Sequence, residues 1–397
     1  MKIMLICNEY PPRPHGGIGT FVQTLARGLH RRGHEVTVVG MGLESEESTD
    51  EGIPVIILRK CKIRYVGNLI SRLRMRRWIF SRVKAGQVDV IESPDYSGML
   101  PFGVNGCPVV VRLHQTGTAL RLDRGQKKAR GIAFYERRAL MANPNWIGVS
   151  HYIVDLTQRV FGVFPGRSTV IYNPVSMPPS DLPEVAGLPA NYVLYAAQVS
   201  RRKGALMLAE AAREFLSRHP GLHLVYAGGE ISEGRNRPIS EDIREIVGPD
   251  LSKRIHFLGH VDRGVVLACM KRARVFAFPS RLEAFGLVVL EAMSCGLPVV
   301  FSKNPPGPEV IEDGITGLLA DPNSPKDFSE KISRILDDPE LARRLVENAR
   351  RSLAERFSVG KCIEETERFY GECLDAVKSP AQTSAPELQS ARTRIRN

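Results

Sequence analysis

Short apolar runs, each followed by a glycine-rich or polar turn and then by a helix, recur along the chain of 397 residues. The first repeat consists of an apolar strand at 2–7, a Pro/Gly loop, a helix that ends at Gly33 and a strand at 35–39. Strands that are apolar throughout, rather than alternating, are typical of parallel sheets covered on both faces. The pattern therefore predicts an α/β fold of parallel strands joined by helical crossovers.

A proline-rich stretch without periodicity at 174–189 interrupts these repeats and predicts a linker between two domains. The length of 397 residues also exceeds what a single core of ordinary size accommodates. We therefore predict an N-terminal domain at 1–180 and a C-terminal domain at 190–360. A closing helix at 361–377 and a disordered polar tail at 378–397 complete the predicted organisation.

The most distinctive stretch, at 275–300, reads VFAFPSRLEAFGLVVLEAMSCGLPVV and predicts a strand, a loop, a helix and a second strand. The loop contains Glu283, and the helix contains Glu291 eight positions later. At Gly286 the loop enters the helix, so unpaired backbone N–H groups and the positive end of the helix dipole point out of the sheet edge. An anion site flanked by carboxylates suits a ligand with a diphosphate and many hydroxyls, and a nucleotide sugar fits that description.

Other residues with useful chemistry stand at strand ends, which is where open α/β sheets bind ligands. Gly16, Gly17 and Gly19 separate the first strand from its helix, and three glycines within four positions favour close approach by a ligand. His114 directly follows an apolar strand and is placed to hydrogen-bond a ligand in the cleft. Lys203 stands at a strand-to-helix junction in the second half, where it is positioned to neutralise a diphosphate.

These motifs resemble the signature of retaining glycosyltransferases of the family 4 type, which have the GT-B fold. The Glu-x7-Glu element of that family matches Glu283-Ala-Phe-Gly-Leu-Val-Val-Leu-Glu291, and the flanking PS, EAM and CGLPVV make the match specific. The resemblance covers residues 1–375 and implies two Rossmann-like domains facing each other across a cleft, with a closing helix that often crosses back. The implied reaction moves a hexosyl group from a nucleoside diphosphate sugar, expected to be a UDP- or GDP-sugar, to an acceptor hydroxyl with retention at the anomeric carbon.

The resemblance also implies roles for individual residues. His114 would hold the donor sugar from the first domain, Glu283 would accept hydrogen bonds from its hydroxyls, and Lys203 and Arg202 would stabilise the leaving diphosphate. The remaining donor-binding residues would be Gly16, Gly17, Phe285, Gly286, Leu287, Glu291 at the ribose and Val261 at the base. We expect no cofactor besides the sugar nucleotide and no metal site, because no Asp-x-Asp motif stands beside a strand end.

The chain departs from the family pattern at the strand that precedes Lys203. Related enzymes have an arginine directly after that strand, whereas this chain has Ala197 and Gln198. A neutral glutamine cannot supply a second positive charge at the diphosphate. Arg201 or Arg202 would have to replace the arginine, and we favour Arg202. If neither reaches the site, the leaving group is less stabilised and catalysis comes into question.

The formal net charge of +12 requires either an anionic partner or a basic surface facing solvent. The densest basic segment is 64–84, where contact with an anionic membrane and a solvated basic face both stay open. On a helix Leu69, Leu73, Phe80 and Val83 share a side, but Arg76 falls in that stripe and Met75 and Trp78 face elsewhere, so we expect no clean amphipathic helix. No zinc-finger, RNA-recognition or helix-turn-helix pattern occurs, so we expect no nucleic-acid partner.

We expect MKIMLICNEY to be a strand and not a signal peptide, because it lacks a basic start and a long apolar core. The sequence has no run of about 18 apolar residues, and its seven cysteines show no metal-binding spacing. We therefore expect a cytoplasmic protein, at the inner face of the membrane if the basic segment binds there. The acceptor stays open between a lipid-linked or envelope glycan and a small molecule. Three other activities also stay open: a sugar-nucleotide 2-epimerase of the same fold, a glycan phosphorylase, and a non-catalytic sugar-nucleotide-binding protein.

Overall fold

The computed structural model describes residues 1–14, 16–123, 125–230 and 237–378. It contains two α/β domains, each built on a mainly parallel sheet whose strands are joined by helices. The prediction of two Rossmann-like domains facing each other across a cleft is confirmed. Of the tail predicted at 378–397, Lys378 alone belongs to the described residues.

The first sheet has eight strands in the order β3-β4-β2-β1-β5-β6-β7-β8. Neighbouring strands are parallel except for β3 and β4, which form an antiparallel hairpin at the sheet edge. The apolar pattern did not predict β3, because its sequence EESTD is polar and largely exposed. The elements of this domain are β1 (Lys2–Ile6), α1 (Gly17–Arg31), β2 (Glu35–Gly42), β3 (Glu46–Asp50), β4 (Ile53–Arg59), α2 (Gly67–Lys84), β5 (Val90–Pro94), β6 (Val109–Leu113), α3 (Gly117–Asp123), α4 (Arg130–Ala142), β7 (Asn145–Gly148), α5 (His151–Phe161) and β8 (Arg167–Val170).

The second sheet has six parallel strands in the order β11-β10-β9-β12-β13-β14. The strand predicted at Val275–Phe278 is β12, a central strand whose four side chains are all buried. From β9 onward, including the closing helix α14, the elements are β9 (Tyr192–Ala196), α6 (Ala205–Arg218), β10 (His223–Ala227), α7 (Ile239–Val247), α8 (Pro249–Ser252), β11 (Ile255–Phe257), α9 (Arg263–Arg272), β12 (Val275–Phe278), α10 (Leu287–Ser294), β13 (Val299–Ser302), α11 (Gly307–Val310), β14 (Leu318–Ala320), α12 (Pro325–Asp337), α13 (Pro339–Arg356) and α14 (Val359–Lys378).

Both faces of the first sheet are covered, which explains why its central strands are apolar at every position. In β1, Ile3 and Leu5 join the core formed with α1 and α14, whereas Met4 and Ile6 join the core formed with α2. Successive side chains of a strand point to opposite faces, so each face receives alternate residues. Burying each of these side chains contributes about 1.5–3 kcal/mol, which favours this sheet over any arrangement that exposes one face.

The closing helix α14 lies on the first domain, although α13 before it packs on α10 of the second. Ile363 approaches α1 so closely that a Cβ added at Gly28 would lie 1.9 Å from its side chain. The Tyr370 hydroxyl donates to Glu92 at 2.7 Å, and Glu92 also forms a buried bidentate pair with Arg112 at 2.8 Å. The chain therefore crosses back to the first domain between α13 and α14.

The expectation that the basic segment is not a clean amphipathic helix is confirmed. In α2, Met75 and Ile79 are fully buried, whereas Leu73 is 44% exposed. Arg72 is buried as well, because its guanidinium donates to the carbonyl oxygens of 97–98 at 2.6 and 3.0 Å. Backbone acceptors let an arginine face the core, which a count of apolar residues cannot anticipate. Within the described ranges, no helix combines the length and the apolar character needed to cross a membrane.

Candidate active site

Strand ends of both sheets line one cleft of about 680 Å³ between the domains. In each sheet the chain runs outward from a central strand first one way and then the other, from β1 to β2 and β5, and from β9 to β10 and β12. Such switch points leave a crevice at the carboxyl ends of the strands, where ligands bind. The lining residues are Glu9, Gly16, Gly17, Ile18, Tyr96, His114, Gln115, Leu120 and Asn173 of the first domain, and Ala196, Ala197, Gln198, Lys203, Phe278 and 283–288 of the second.

The loop after β12 and the first turn of α10 form the second-domain wall of the cleft, which includes Phe285, Gly286 and Leu287. Gly286 has a φ of +97°, a left-handed conformation that a residue with a Cβ adopts only with strain. No side chain caps α10 at Gly286, so the first N–H groups of this helix are available to a ligand. The structure therefore brings the anion site expected from the sequence to the cleft wall.

Lys203 and Glu283 meet inside the cleft. The Lys203 Nζ donates to the Glu283 Oε1 at 2.5 Å, and both side chains are mostly buried. A phosphate that binds the ammonium has to share it with this carboxylate or take it over. The exchange would release the Glu283 oxygens to accept hydrogen bonds from hydroxyl groups. The pair therefore places a cation that suits a phosphate directly beside a carboxylate that suits hydroxyl groups.

Glu291 and Val261 do not line the cleft. Glu291 lies one turn of α10 beyond Leu287, and its Oε1 accepts a hydrogen bond from the Arg263 Nε at 2.7 Å. Arg263 begins α9, two residues after Val261, so the structure brings the two predicted residues close to each other. A ribose at Glu291 would have to share the carboxylate with Arg263.

The arginine that we favoured as the second cation lies outside the cleft wall. The Arg202 Nη1 donates to the Leu282 carbonyl at 3.4 Å, and the Arg201 Nη2 donates to Asp242 at 3.1 Å. Consecutive residues of a tight turn point in different directions, and in the turn at 200–204 Lys203 is the residue that faces the cleft. Among the described residues that line the cleft, Lys203 is the one Lys or Arg side chain, and Gln198 stands where related enzymes have arginine.

We expect Gln198→Arg to tighten the binding of a nucleoside diphosphate about tenfold, because a charge-assisted hydrogen bond contributes about 1.5–3 kcal/mol. Calorimetric titration with UDP, GDP and ADP in turn measures the effect. Gln198→Met is the matched control, since it keeps the length of the side chain and adds no charge. If Gln198→Arg bound none of the three more tightly than Gln198→Met, a diphosphate would not lie near this position.

Glu9 is a cleft residue that the sequence did not single out. Its Oε1 accepts the backbone N–H groups of Gly16 at 3.3 Å and of Gly19 at 3.0 Å. Gly17 and Gly19 belong to the first turn of α1 and not to the loop predicted for them, so the name glycine loop stands here for 16–19 at the helix start. The carboxylate satisfies the start of α1 and places a negative charge beside these glycines. That charge disfavours a diphosphate at Gly16 and Gly17 and favours hydroxyl donors. The glycine loop therefore suits the sugar or the acceptor better than the phosphates.

His114 ends β6 as a buried side chain whose ring packs edge-on against Phe21, with 5.0 Å between ring centroids. The backbone N–H groups of His114 and Gln115 donate to the two carboxyl oxygens of Asp95 at 3.0 and 3.2 Å. Burial, and then the positive charge of Arg112, lowers the pKa of His114 to about 3. The imidazole is therefore neutral and offers one donor and one acceptor to hydroxyl groups.

Two buried polar atoms of the first-domain wall have no hydrogen-bond partner, the Gln115 Nε2 and the Asn173 Oδ1. Gln115 also has a φ of +132°, which side chains with a Cβ rarely adopt. An unpaired buried donor or acceptor costs about 1–3 kcal/mol, a cost that a ligand rich in hydroxyls would remove. The sequence reasoning missed both residues, although each stands just beyond a strand at the binding edge, which is the signal that identified His114.

Two family models match this chain. The model described as Glycosyltransferase Family 4 matches residues 15–177, and the model described as Glycosyl transferases group 1 matches residues 184–352. The glycosyltransferase MJ1607 of Methanocaldococcus jannaschii is 27% identical over 393 residues, covering 93% of this chain and 98% of its own. A glycogen synthase of Mycobacterium tuberculosis is 25% identical over 351 residues, covering 81% of this chain and 83% of its own.

Solved structures share the fold over nearly the whole chain. Sucrose-phosphate synthase from Thermosynechococcus elongatus has a TM-score of 0.75 at 22% identity, over 94% of this chain and 99% of its own. Anabaena Alr3699/HepE in complex with UDP has a TM-score of 0.72 at 20% identity, over 94% of this chain and 100% of its own. At these identities the likeness establishes the two-domain architecture.

Proposed function

Because the chain belongs to the family 4, group 1 glycosyltransferases of the GT-B fold, we propose that it is a retaining hexosyltransferase that uses a nucleoside diphosphate sugar. UDP- or GDP-sugars are the donors we propose, and the bound UDP of Alr3699/HepE supports the first of them. One observation carries the proposal: Lys203 and the uncapped start of α10 face the neutral His114 across a single cleft. A diphosphate fits the first pair, and a sugar fits the space between the domains.

In the proposed reaction the bond between the anomeric carbon and the diphosphate oxygen breaks, and the acceptor oxygen bonds to that carbon on the same face. The acceptor proton passes to the departing phosphate oxygen, so no protein base is assigned. Lys203 and the first N–H groups of α10 stabilise the negative charge that grows on the leaving group. Glu283, His114 and Asn173 hold the sugar hydroxyls, which keeps the positively charged carbon between the two domains. We also expect turnover without a divalent metal, because positive groups of the protein lie at the proposed diphosphate position.

Non-catalytic binding is the second function that a specific observation favours. Because Gln198 is neutral, Lys203 is the one Lys or Arg among the described residues that line the cleft. Lys203 is already paired with Glu283. Less charge at the leaving group slows the transfer more than it weakens binding, because charge there develops in the transition state. Such a protein would bind sugar nucleotides and release no product.

A panel of UDP-, GDP- and ADP-sugars, incubated with the full chain with and without EDTA and followed by mass spectrometry, tests the proposal. We expect one sugar nucleotide to give free nucleotide and sugar, unaffected by EDTA. A changed sugar still attached to its nucleotide would instead identify a 2-epimerase, and sugar phosphate formed from a glycan and phosphate would identify a phosphorylase. Binding without product, after a set of candidate acceptors has been added, would support the non-catalytic function.

We also propose that the first domain docks on an anionic membrane through a surface that we call the α2–α4 face, formed by the described residues of 60–84 and 117–142. Residues 60–84 contain nine Lys and Arg and no Asp or Glu, and residues 117–142 contain seven basic and two acidic residues. The rest of the chain is close to neutral, so these two segments account for the net charge of +12.

Contacts join the two segments into one surface. Arg72 of α2 lies 4.2 Å from the centroid of the Tyr135 ring of α4. Exposed apolar side chains stand among the basic ones: Ile63, Tyr65, Val66, Leu73, Leu122, Ile132, Phe134 and Met141. Apolar side chains that can enter the headgroup layer, surrounded by cations, are what a membrane surface attracts. Tyr96 and Leu120 connect this face to the cleft, which would bring a lipid-linked acceptor close to the donor.

Charge reversal on the α2–α4 face should weaken vesicle binding strongly. We expect the full chain to sediment with vesicles that contain about 30% anionic lipid, and the triple variant Arg74→Glu/Arg77→Glu/Arg130→Glu to bind about a hundredfold more weakly, since each cation contributes roughly 1 kcal/mol. The charge-matched control reverses exposed basic residues of the second domain, in Lys253→Glu/Lys271→Glu/Arg344→Glu. Equal losses in the two triple variants would show that net charge, and not this face, governs the association.

A further inference from the structure

The hydroxyl of Ser150 bonds to both domains. Ser150 is the N-cap of α5 in the first domain, where its Oγ accepts the N–H of Ile153 at 3.2 Å. The same Oγ donates to the carbonyl of Ala284 in the second domain at 2.9 Å. Ala284 belongs to the cleft wall, between Glu283 and Phe285. One side chain therefore caps a first-domain helix and holds the loop that carries the predicted sugar-binding carboxylate.

A carboxylate of the second domain completes the cap of the same helix. The Glu309 Oε2 accepts the backbone N–H of His151 at 2.7 Å, and its Oε1 accepts that of Tyr152 at 2.9 Å. The first N–H groups of a helix lack partners within the helix and attract negative charge, so Glu309 suits this position. The Glu309 carbonyl in turn accepts from Arg356 at 2.5 Å, which fixes the segment where the chain returns to the first domain.

An aromatic ring of the first domain also packs against Phe285, the residue after Ala284 in the cleft loop. The ring of Tyr172, which follows β8, stacks on Phe285 with 5.4 Å between centroids and 22° between planes. Phe285 is fully buried and also packs against Phe357. The residues on either side of Ala284 are thus tied down, Glu283 by Lys203 and Phe285 by Tyr172.

We propose that Ser150 and Glu309 are positioning residues that hold the domains closed and, through Ala284, set the loop 283–286 for the donor. The inference rests on the proposed function for its kinetic part. Opening the cleft would break the Ser150 and Glu309 bonds together, because both act on the same end of α5. Closure therefore supports the loop from the first domain, and the loop loses this support when the domains part.

The closed state of the ligand-free chain is tested by small-angle X-ray scattering. Glu309→Gln keeps the size of the side chain but removes its charge and one of its two acceptors, so we expect a larger radius of gyration for this variant. Asp338→Asn is the matched control, since Asp338 caps α13 through the N–H of Leu341 at 2.9 Å without crossing between domains. If Glu309→Gln and Asp338→Asn had the same radius of gyration, the proposal would be overturned. This result would not depend on which reaction the chain catalyses.

The positioning role is tested by separating kcat from KM with the sugar nucleotide that the wild type turns over. We expect Ser150→Ala to lower kcat about tenfold, the loss typical of one hydrogen bond that positions a catalytic group, with a smaller change in KM. Ser324→Ala is the control, because Ser324 caps α12 with the same 3.2 Å bond, to the N–H of Asp327, and touches no cleft residue. Ser150→Thr keeps the hydroxyl and should restore kcat. Equal kcat in Ser150→Ala and Ser324→Ala would exclude the role of Ser150.

Discussion

Replacing Lys203 with methionine should lower kcat/KM for the sugar nucleotide by about a thousandfold. The substitution removes the one Lys or Arg among the described residues that line the cleft, and it leaves Glu283 without its partner beside the proposed diphosphate position. Losing one partner of a desolvated charge pair costs about 2–5 kcal/mol, and each 1.4 kcal/mol is a factor of about ten. Steady-state kinetics measure the loss, and calorimetry with UDP, GDP and ADP shows how much of it lies in binding.

The control for this prediction is Lys303→Met, since Lys303 forms a surface ion pair with Asp321 at 2.8 Å away from the cleft lining. The double variant Lys203→Met/Glu283→Gln removes the carboxylate left without its partner, so it should recover stability but not activity. If Lys203→Met kept kcat/KM within about threefold of the wild type, the diphosphate would not bind at this lysine.

His114→Ala should lower kcat about a hundredfold or more, because the neutral imidazole offers a donor and an acceptor to the sugar where charge develops at the anomeric carbon. The fold should persist, since the variant keeps the backbone N–H that donates to Asp95 and loses only the ring contact with Phe21. Asn173→Ala should lower kcat less, because a single unpaired oxygen is lost. Activity of His114→Ala close to that of the wild type would place the sugar elsewhere in the cleft.

The pH dependence of stability tests the neutral state of His114. Its pKa of about 3 lies below the unfolded value, so the unfolded chain binds the proton first and stability is lost as the pH falls from about 6.5 towards 3. Burial raises the pKa of Asp95 to about 7, so its effect is opposite, and stability is lost as the pH rises from about 4 to 7. Urea unfolding of the wild type and His114→Asn at several pH values separates the two. The stability difference between these proteins should shrink towards acid, and a constant difference would contradict a neutral, buried imidazole.

The sequence predicted that Lys203 and 283–287 stand at one sheet edge, because apolar runs determine where strands end. Once β9 and β12 are identified, Lys203 and Gly286 must stand at the carboxyl edge of a parallel sheet, and His114 stands at the corresponding edge of the first sheet. These positions follow from strand order and from the tendency of such edges to bind ligands. Asn173 also stands just beyond a strand at the binding edge. It was not predicted as a site residue because its side chain is uncharged.

Other features depend on contacts between distant residues, which local patterns do not encode. The hydrogen bonds that Glu9 accepts from Gly16 and Gly19 depend on the geometry of the turn between β1 and α1. The placement of Arg202 outside the cleft wall follows from the direction of one side chain in a four-residue turn. Glu309 caps a helix of the other domain, so its role exists only when both domains are in place.

The most direct test of the donor site is a structure of the chain with a bound nucleotide. The nucleotide to use is the nucleoside diphosphate that is released in the donor panel. We expect the diphosphate within hydrogen-bond distance of the Lys203 Nζ and of the first N–H groups of α10, with Glu283 turned towards the sugar side of the cleft. We also expect the ribose at Glu291, in place of or beside Arg263. A nucleotide bound outside this cleft, with Lys203 still paired to Glu283, would contradict the assignment of this cleft as the donor site.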